Sequence, residues 1–155
     1  MEEKTNVMRI LDKLKINYSS HSYANTTAVS GLEVAEVLNQ DPKRVFKTLV
    51  TVGKSQKYYV FVIPVAAELN LKKAAQSVKE KSIEMIKAKE LLPLTGYIHG
   101  GCSPVGMKKL FTTTIDASAA DNDTILVSAG KIGYQVELSL AELNKAIPCQ
   151  VAELV

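Results

Sequence analysis

Lys47 stands inside the run Val45-Phe46-Lys47-Thr48-Leu49-Val50-Thr51-Val52, most of whose members favour a strand. A lysine in that setting has two readings. Alternation puts it on one face with Val45, Leu49 and Thr51, which would be the solvent face of an edge strand. Equally, it could wall a pocket, where a fixed positive charge holds a phosphate, a carboxylate or an oxyanion forming during a reaction. The second candidate is the glycine-dense segment Gly96-Tyr97-Ile98-His99-Gly100-Gly101-Cys102-Ser103-Pro104-Val105-Gly106. Paired glycines let backbone N–H groups approach a ligand closely; a plain turn-rich connection is the alternative. The segment lacks the Gly-Lys-Ser/Thr ending of a phosphate-binding loop and fits no dinucleotide fingerprint. Ser128-Ala129-Gly130-Lys131-Ile132-Gly133 is a further small-residue loop of the same kind. Cys102 and His99 raise a thiol–imidazole pair, although residues three apart in a loop need not face one another. Tyr23 shares a strand face with His21, and both packing and pocket lining are open to it. With two well-separated histidines and no acidic cluster beside either, neither a catalytic metal nor another cofactor is expected.

These residues need elements to hold them. Val7, Ile10, Leu11 and Leu14 recur at helical spacing, so a first helix is expected over residues 6–15. Residues 18–23 alternate as a short strand. Ser30 with Glu33 reads as a capping box that opens a helix, and Asp41-Pro42 turns the chain after it. Residues 45–52 and 58–64 form a strand pair around the polar connection 53–57. Asn70 caps a helix bearing Leu71, Ala74, Ala75 and Val78, residues 82–86 give a weak strand, and 88–92 a helical turn stopped by Pro93. Strands follow over 112–115, 124–128 and 135–138. Ser139 with Glu142 reads as a second capping box, opening a final helix through Ala146. Asp116 is read as a strand-end carboxylate that caps the turn after it. The pattern describes one α/β (α+β) domain over residues 1–155, with a mixed, partly barrel-like β-sheet and helices packed outside it.

The chain has 155 residues, 46% hydrophobic and 23% charged, which suffices for a core that is largely aliphatic because tryptophan is absent. A formal net charge of +3 permits a nucleic-acid partner but is far below that of a sequence-blind DNA coat, so DNA is not expected. Lys72-Lys73 and Lys108-Lys109 are the pairs that could reach phosphates. The acidic, polar start Met1-Glu2-Glu3-Lys4-Thr5 is unlike a secretory signal, and the longest apolar run is interrupted by Pro64. No membrane is expected. Cys102 and Cys149 match no zinc spacing and read as free thiols, placing the protein in the cytoplasm.

Several segments, taken in order, carry a resemblance. They are Phe46-Lys47-Thr48-Leu49; Pro64-Val65-Ala66 leading to Leu69-Asn70-Leu71-Lys72-Lys73; Gly96-Tyr97 with Gly100-Gly101-Cys102-Ser103-Pro104-Val105-Gly106; Ile115-Asp116-Ala117; and Val127-Ser128-Ala129-Gly130-Lys131. Together they resemble the YbaK/EbsC family, which contains the Cys-tRNA(Pro) deacylases and is similar to the editing domain inserted in bacterial prolyl-tRNA synthetases. The resemblance implies an enzyme that edits in trans, cleaving the aminoacyl ester of mischarged tRNA: Cys-tRNA(Pro) through the substrate's own thiol with release of a thiolactone, or Ala-tRNA(Pro) through water. It implies that Lys47 is the residue the chemistry depends on, and that Tyr23, Thr48, Gly100, Gly101 and Ser128 bind substrate. Ser30 and Gln135 occupy pocket positions where the family carries an aromatic residue and an aspartate, and these departures bear on which amino acid is removed. The implied partners are the acceptor end of an aminoacyl-tRNA and prolyl-tRNA synthetase. A module that binds an acceptor end or a synthetase without cleaving anything is the alternative, and an enzyme using Cys102 is a third.

Overall fold

The computed structural model describes residues 4–155; the N-terminal reading at Met1 to Glu3 lies outside the described residues. Thr5 caps α1 (Asn6–Lys13) by accepting the Met8 N–H, and Val7, Met8 and Leu11 turn into the core. The alternating segment becomes β1 (Ser19–Ser22). Ser30 and Glu33 make the full capping box at the head of α2 (Gly31–Val37): Ser30 Oγ accepts from Glu33 N–H, and the Glu33 carboxylate accepts from Ser30 N–H. Asp41 then caps the 3-10 turn Pro42–Arg44.

The strand pair forms as β2 (Phe46–Gly53) and β3 (Tyr58–Pro64), antiparallel, with Lys47 opposite Ile63. β3 reads as one unbroken apolar run because both its faces are covered. Val60 and Val62 enter the main core with Leu11, Ile115, Val127 and Leu138. Tyr59, Phe61 and Ile63 enter a second core against Ala74 and Ala75 of α3 (Leu71–Val78). Next come β4 (Ile83–Met85) and α4 (Ala88–Thr95), which holds Pro93 within it. Pro93 was expected to stop this helix. It is tolerated because the bond it removes would have gone to the carbonyl of Lys89, which is exposed and can be met by solvent. The helix ends instead at Gly96, in the left-handed conformation at φ +85°.

β5 (Thr112–Asp116) ends on the expected cap. Asp116 is buried; one carboxylate oxygen accepts from the Ser118 N–H and hydroxyl, the other from the Leu154 N–H. β6 (Ile125–Ser128), β7 (Tyr134–Leu138) and α5 (Leu140–Ala146) follow. Ser139 caps α5, and the Glu142 carboxylate also accepts from the Asn17 N–H. A last strand, β8 (Cys149–Ala152), was not anticipated.

The strands form two sheets: β1-β7-β6, all antiparallel, and the mixed sheet β4-β2-β3-β5-β8, in which β3, β5 and β8 run parallel. A parallel bridge between Val45 and Leu126 joins them, and they do not close into a barrel. No helix among the described residues is long and apolar enough to cross a membrane.

Candidate active site

The Val45–Leu126 bridge places the site. Beyond it β2 diverges from β6, while β4 reaches back along β2 only as far as Thr51. Among the described residues, no strand pairs with the stretch between those two contacts on the side away from β3. The Val65 N–H donates to the Val45 carbonyl, and the Ile86 N–H to the Val50 carbonyl. Antiparallel alternation therefore points the backbone N–H and C=O of Thr48 away from β3, into the wedge. A cavity of about 300 Å3 occupies this wedge.

Lys47 lines the cavity and is half-buried. It shares a face with Leu49 and Thr51, as alternation requires, but that face is not a solvent face. Thr51 is fully buried and donates its hydroxyl to the Tyr59 carbonyl. Lys47 therefore lies on a locally free stretch of strand edge that forms a cavity wall, not a solvent face. Among the described residues it pairs with no carboxylate, and no aspartate or glutamate lines the cavity. Thr48 Oγ1 lies alongside, buried and without a hydrogen-bond partner among the described residues.

The opposite wall comes from the small sheet. Ser128 and Gln135 are paired across β6 and β7 and both line the cavity. The Ser128 hydroxyl accepts from the Gly130 N–H, which shapes its loop. Gln135 is buried, and its Oε1 accepts from Gln40 Nε2 at 2.9 Å. Tyr23 is held by Ala28 and Val34 and also lines the cavity, as does Ser30 at the head of α2. The glycine pair divides. Gly100, at φ +89°, lines the cavity in a conformation that side chains rarely adopt. Gly101 donates its N–H to the Ile98 carbonyl and packs so tightly that a Cβ there would sit 3.2 Å from the Ile132 nitrogen.

His99 and Cys102 line the cavity as well, but no hydrogen bond joins them among the described residues. Burial pushes the Cys102 thiol up to about 12, which leaves it protonated at neutral pH. Lys72-Lys73 and Lys108-Lys109 lie away from the lining; Lys73 Nζ binds the carbonyl of Val155, and the Lys108 stem covers Gly96. Among the described residues, no three His, Cys, Asp or Glu side chains gather as a metal site would need. The apolar rim of Val29, Leu32 and Leu91 was not anticipated, because nothing in a lone apolar residue marks it as rim rather than core.

Residues 26–146, which include all of these lining positions except Tyr23, match the family model described as an aminoacyl-tRNA editing domain. The chain belongs to that family. It is of the YbaK/EbsC type: it is 43% identical over 154 residues to EbsC of Enterococcus faecalis (strain ATCC 700802 / V583), a protein provisionally named a Cys-tRNA(Pro)/Cys-tRNA(Cys) deacylase, covering 99% of this chain and 94% of that one. A crystal structure described as a provisional trans-editing enzyme for prolyl-tRNA synthetase superposes with a TM-score of 0.82 at 22% identity, covering 98% of each chain. The hypothetical protein APE2540 superposes at 0.88 with 21% identity, over 97% of this chain and 99% of that one. At those identities the two structures speak for the fold of the editing domain.

Proposed function

We propose that this editing-domain protein is an aminoacyl-tRNA deacylase acting in trans, which cleaves the ester between a small, wrongly attached amino acid and the terminal ribose of tRNA(Pro). The observation that carries the reading is Lys47: a lysine with no carboxylate partner among the described residues, on the wall of a cavity of about 300 Å3 that none of their acidic side chains lines. That volume is at the small end of ligand sites and suits an aminoacyl group with part of a ribose. Attack on the ester carbonyl puts negative charge on its oxygen, and a preplaced cation in a partly dry cleft stabilises that charge.

The site offers no ionised nucleophile, since Cys102 is held as a thiol. The attacking group is therefore the substrate's or the solvent's. With cysteine as the aminoacyl group, its own sulfur attacks the carbonyl carbon. The new C–S bond replaces the C–O bond to the ribose, the ribose oxygen takes the proton the thiol gives up, and a cyclic thiolactone leaves with free tRNA. With alanine, water attacks and the free amino acid leaves. In either case Lys47, Thr48 and the Gly100 backbone position the ester and stabilise charge, while Tyr23, Ser30, Ser128 and Gln135 shape the space around the amino acid. Gly101 supports this wall from behind. The 43% identity to EbsC supports a substrate of the same class. Discrimination by size alone is weak between residues differing by one or two atoms, which is why prolyl-tRNA synthetase would need such a partner.

A deacylation panel of Cys-, Ala-, Ser- and Pro-tRNA(Pro), with Cys-tRNA(Cys) beside them, tests this reading. Release is expected from Cys- or Ala-tRNA(Pro) and not from Pro-tRNA(Pro). Binding of every tRNA with release from none would instead make the protein an acceptor-end binding module.

A further inference from the structure

Gln40 is not among the residues that line the cavity, yet it fixes one that does. Its backbone is set by the end of α2. Asn39 turns left-handed at φ +53°, the Asn39 N–H donates to the Glu36 carbonyl, and the Gln40 N–H reaches back to the Ala35 carbonyl. This pair of bonds is the Schellman closure of a helix. Asp41 and the 3-10 turn Pro42–Arg44 hold the chain immediately afterwards. From this anchored position the Gln40 side chain crosses to β7 and donates Nε2 to Gln135 Oε1.

The direction of that bond matters, because an amide has a donor end and an acceptor end. Gln40 Oε1 is buried with no partner among the described residues. Turning both amides over would keep a hydrogen bond between them but bury the Gln40 NH2 in place of its oxygen. An unmet carbonyl oxygen costs less than an unmet buried N–H, so the observed direction is the favoured one. It commits Gln135 Oε1 to Gln40 and leaves Gln135 Nε2 for whatever occupies the cavity.

The consequence for recognition follows from the rest of the lining. On the wall around Gln135 no carboxylate is present among the described residues, and the Ser30 and Ser128 hydroxyls already accept bonds from Glu33 and Gly130, whereas the unpartnered Thr48 hydroxyl belongs to the facing β2 wall beside Lys47. An aminoacyl ester brings one group that can be cationic, its α-amine. Resting on the deacylase reading above, we propose that Gln40 is a positioning residue for specificity: by holding the Gln135 amide with Nε2 toward the cavity, it makes the site favour substrates that present a hydrogen-bond acceptor there and disfavour an α-ammonium.

The test is a ratio: kcat/KM for N-acetyl-alanyl-tRNA(Pro) over that for alanyl-tRNA(Pro), measured on the same protein preparation, so that a partly unfolded fraction cancels. The parent is expected to accept the acetylated substrate. In Gln40→Glu the new carboxylate can only accept, so Gln135 turns Nε2 toward it and Oε1 toward the cavity. The ratio should then fall by roughly tenfold in favour of the free amine. Gln40→Leu, which releases Gln135 to turn either way, should lie between. Gln135→Glu places an acceptor in the cavity whatever residue 40 does, and should move the ratio in the same direction as Gln40→Glu. A ratio that stays at the parent's value in both Gln40 variants overturns the proposal and leaves the deacylase reading standing. A parent that releases neither substrate overturns both.

Discussion

Cys102 lines the cavity, but its burial does not suit a nucleophile. A cysteine on that wall, three residues from a histidine, invites a protease-like reading. The burial that brings it there also pushes its thiol up to about 12, and only the thiolate attacks. In the proposed mechanism Lys47 differs, because it stabilises developing charge and takes part in no proton transfer. Cys102→Ala is therefore expected to leave single-turnover deacylation within about threefold of the parent, whereas removing a chemical participant costs on the order of 10²- to 10⁴-fold. A loss of that larger size would return Cys102 to the mechanism.

At the scale of elements, the sequence was most legible where one physical rule acted locally. The capping box at Ser30, the cap at Asn70 and the Asp116 cap on Ser118 each depend on residues within three positions, and each lies where the pattern put it. β8 was missed because Cys149-Gln150-Val151-Ala152 is short and partly exposed, and it becomes a strand only by pairing with β5. Pro93 misled because whether a lost helical bond matters depends on exposure at Lys89, which the sequence does not display. The site was partly legible for the same reason. Alternation placed Lys47 on a face with Leu49 and Thr51 but could not say that β6 would diverge from that edge and open a cavity. Gln40 was invisible: its link to Gln135 joins residues far apart in the chain, and nothing in Leu38-Asn39-Gln40-Asp41-Pro42 points to β7.

At the scale of the molecule, the site exists because two sheets meet at one bridge and then part, so it depends on whatever holds them together. Arg44, just before β2, donates to Glu137 of β7 at 2.7 Å and to the Thr124 hydroxyl beside β6 at 2.6 Å; His21 of β1 meets the same carboxylate at 2.7 Å. The Thr124 hydroxyl first, then His21 and Arg44, hold the Glu137 carboxyl below its ordinary value of 4.5. A carboxyl whose folded value is depressed contributes stability that is present above its unfolded value and lost as pH falls through the folded one. Thermal stability should therefore decline as pH drops below about 4.5, and Glu137→Gln should flatten that decline while lowering Tm at neutral pH. An unchanged pH profile in the variant would show that this cluster does not join the sheets energetically.

All three scales converge on Lys47, and one measurement tests it: single-turnover release of cysteine from Cys-tRNA(Pro) by the parent and by Lys47→Ala, with thermal melts of both. The predicted result is a loss of roughly 10²- to 10³-fold in rate, the size expected for removing one preplaced charge-stabilising group, at an essentially unchanged Tm. A Lys47→Ala protein that deacylates at the parent's rate would contradict the account.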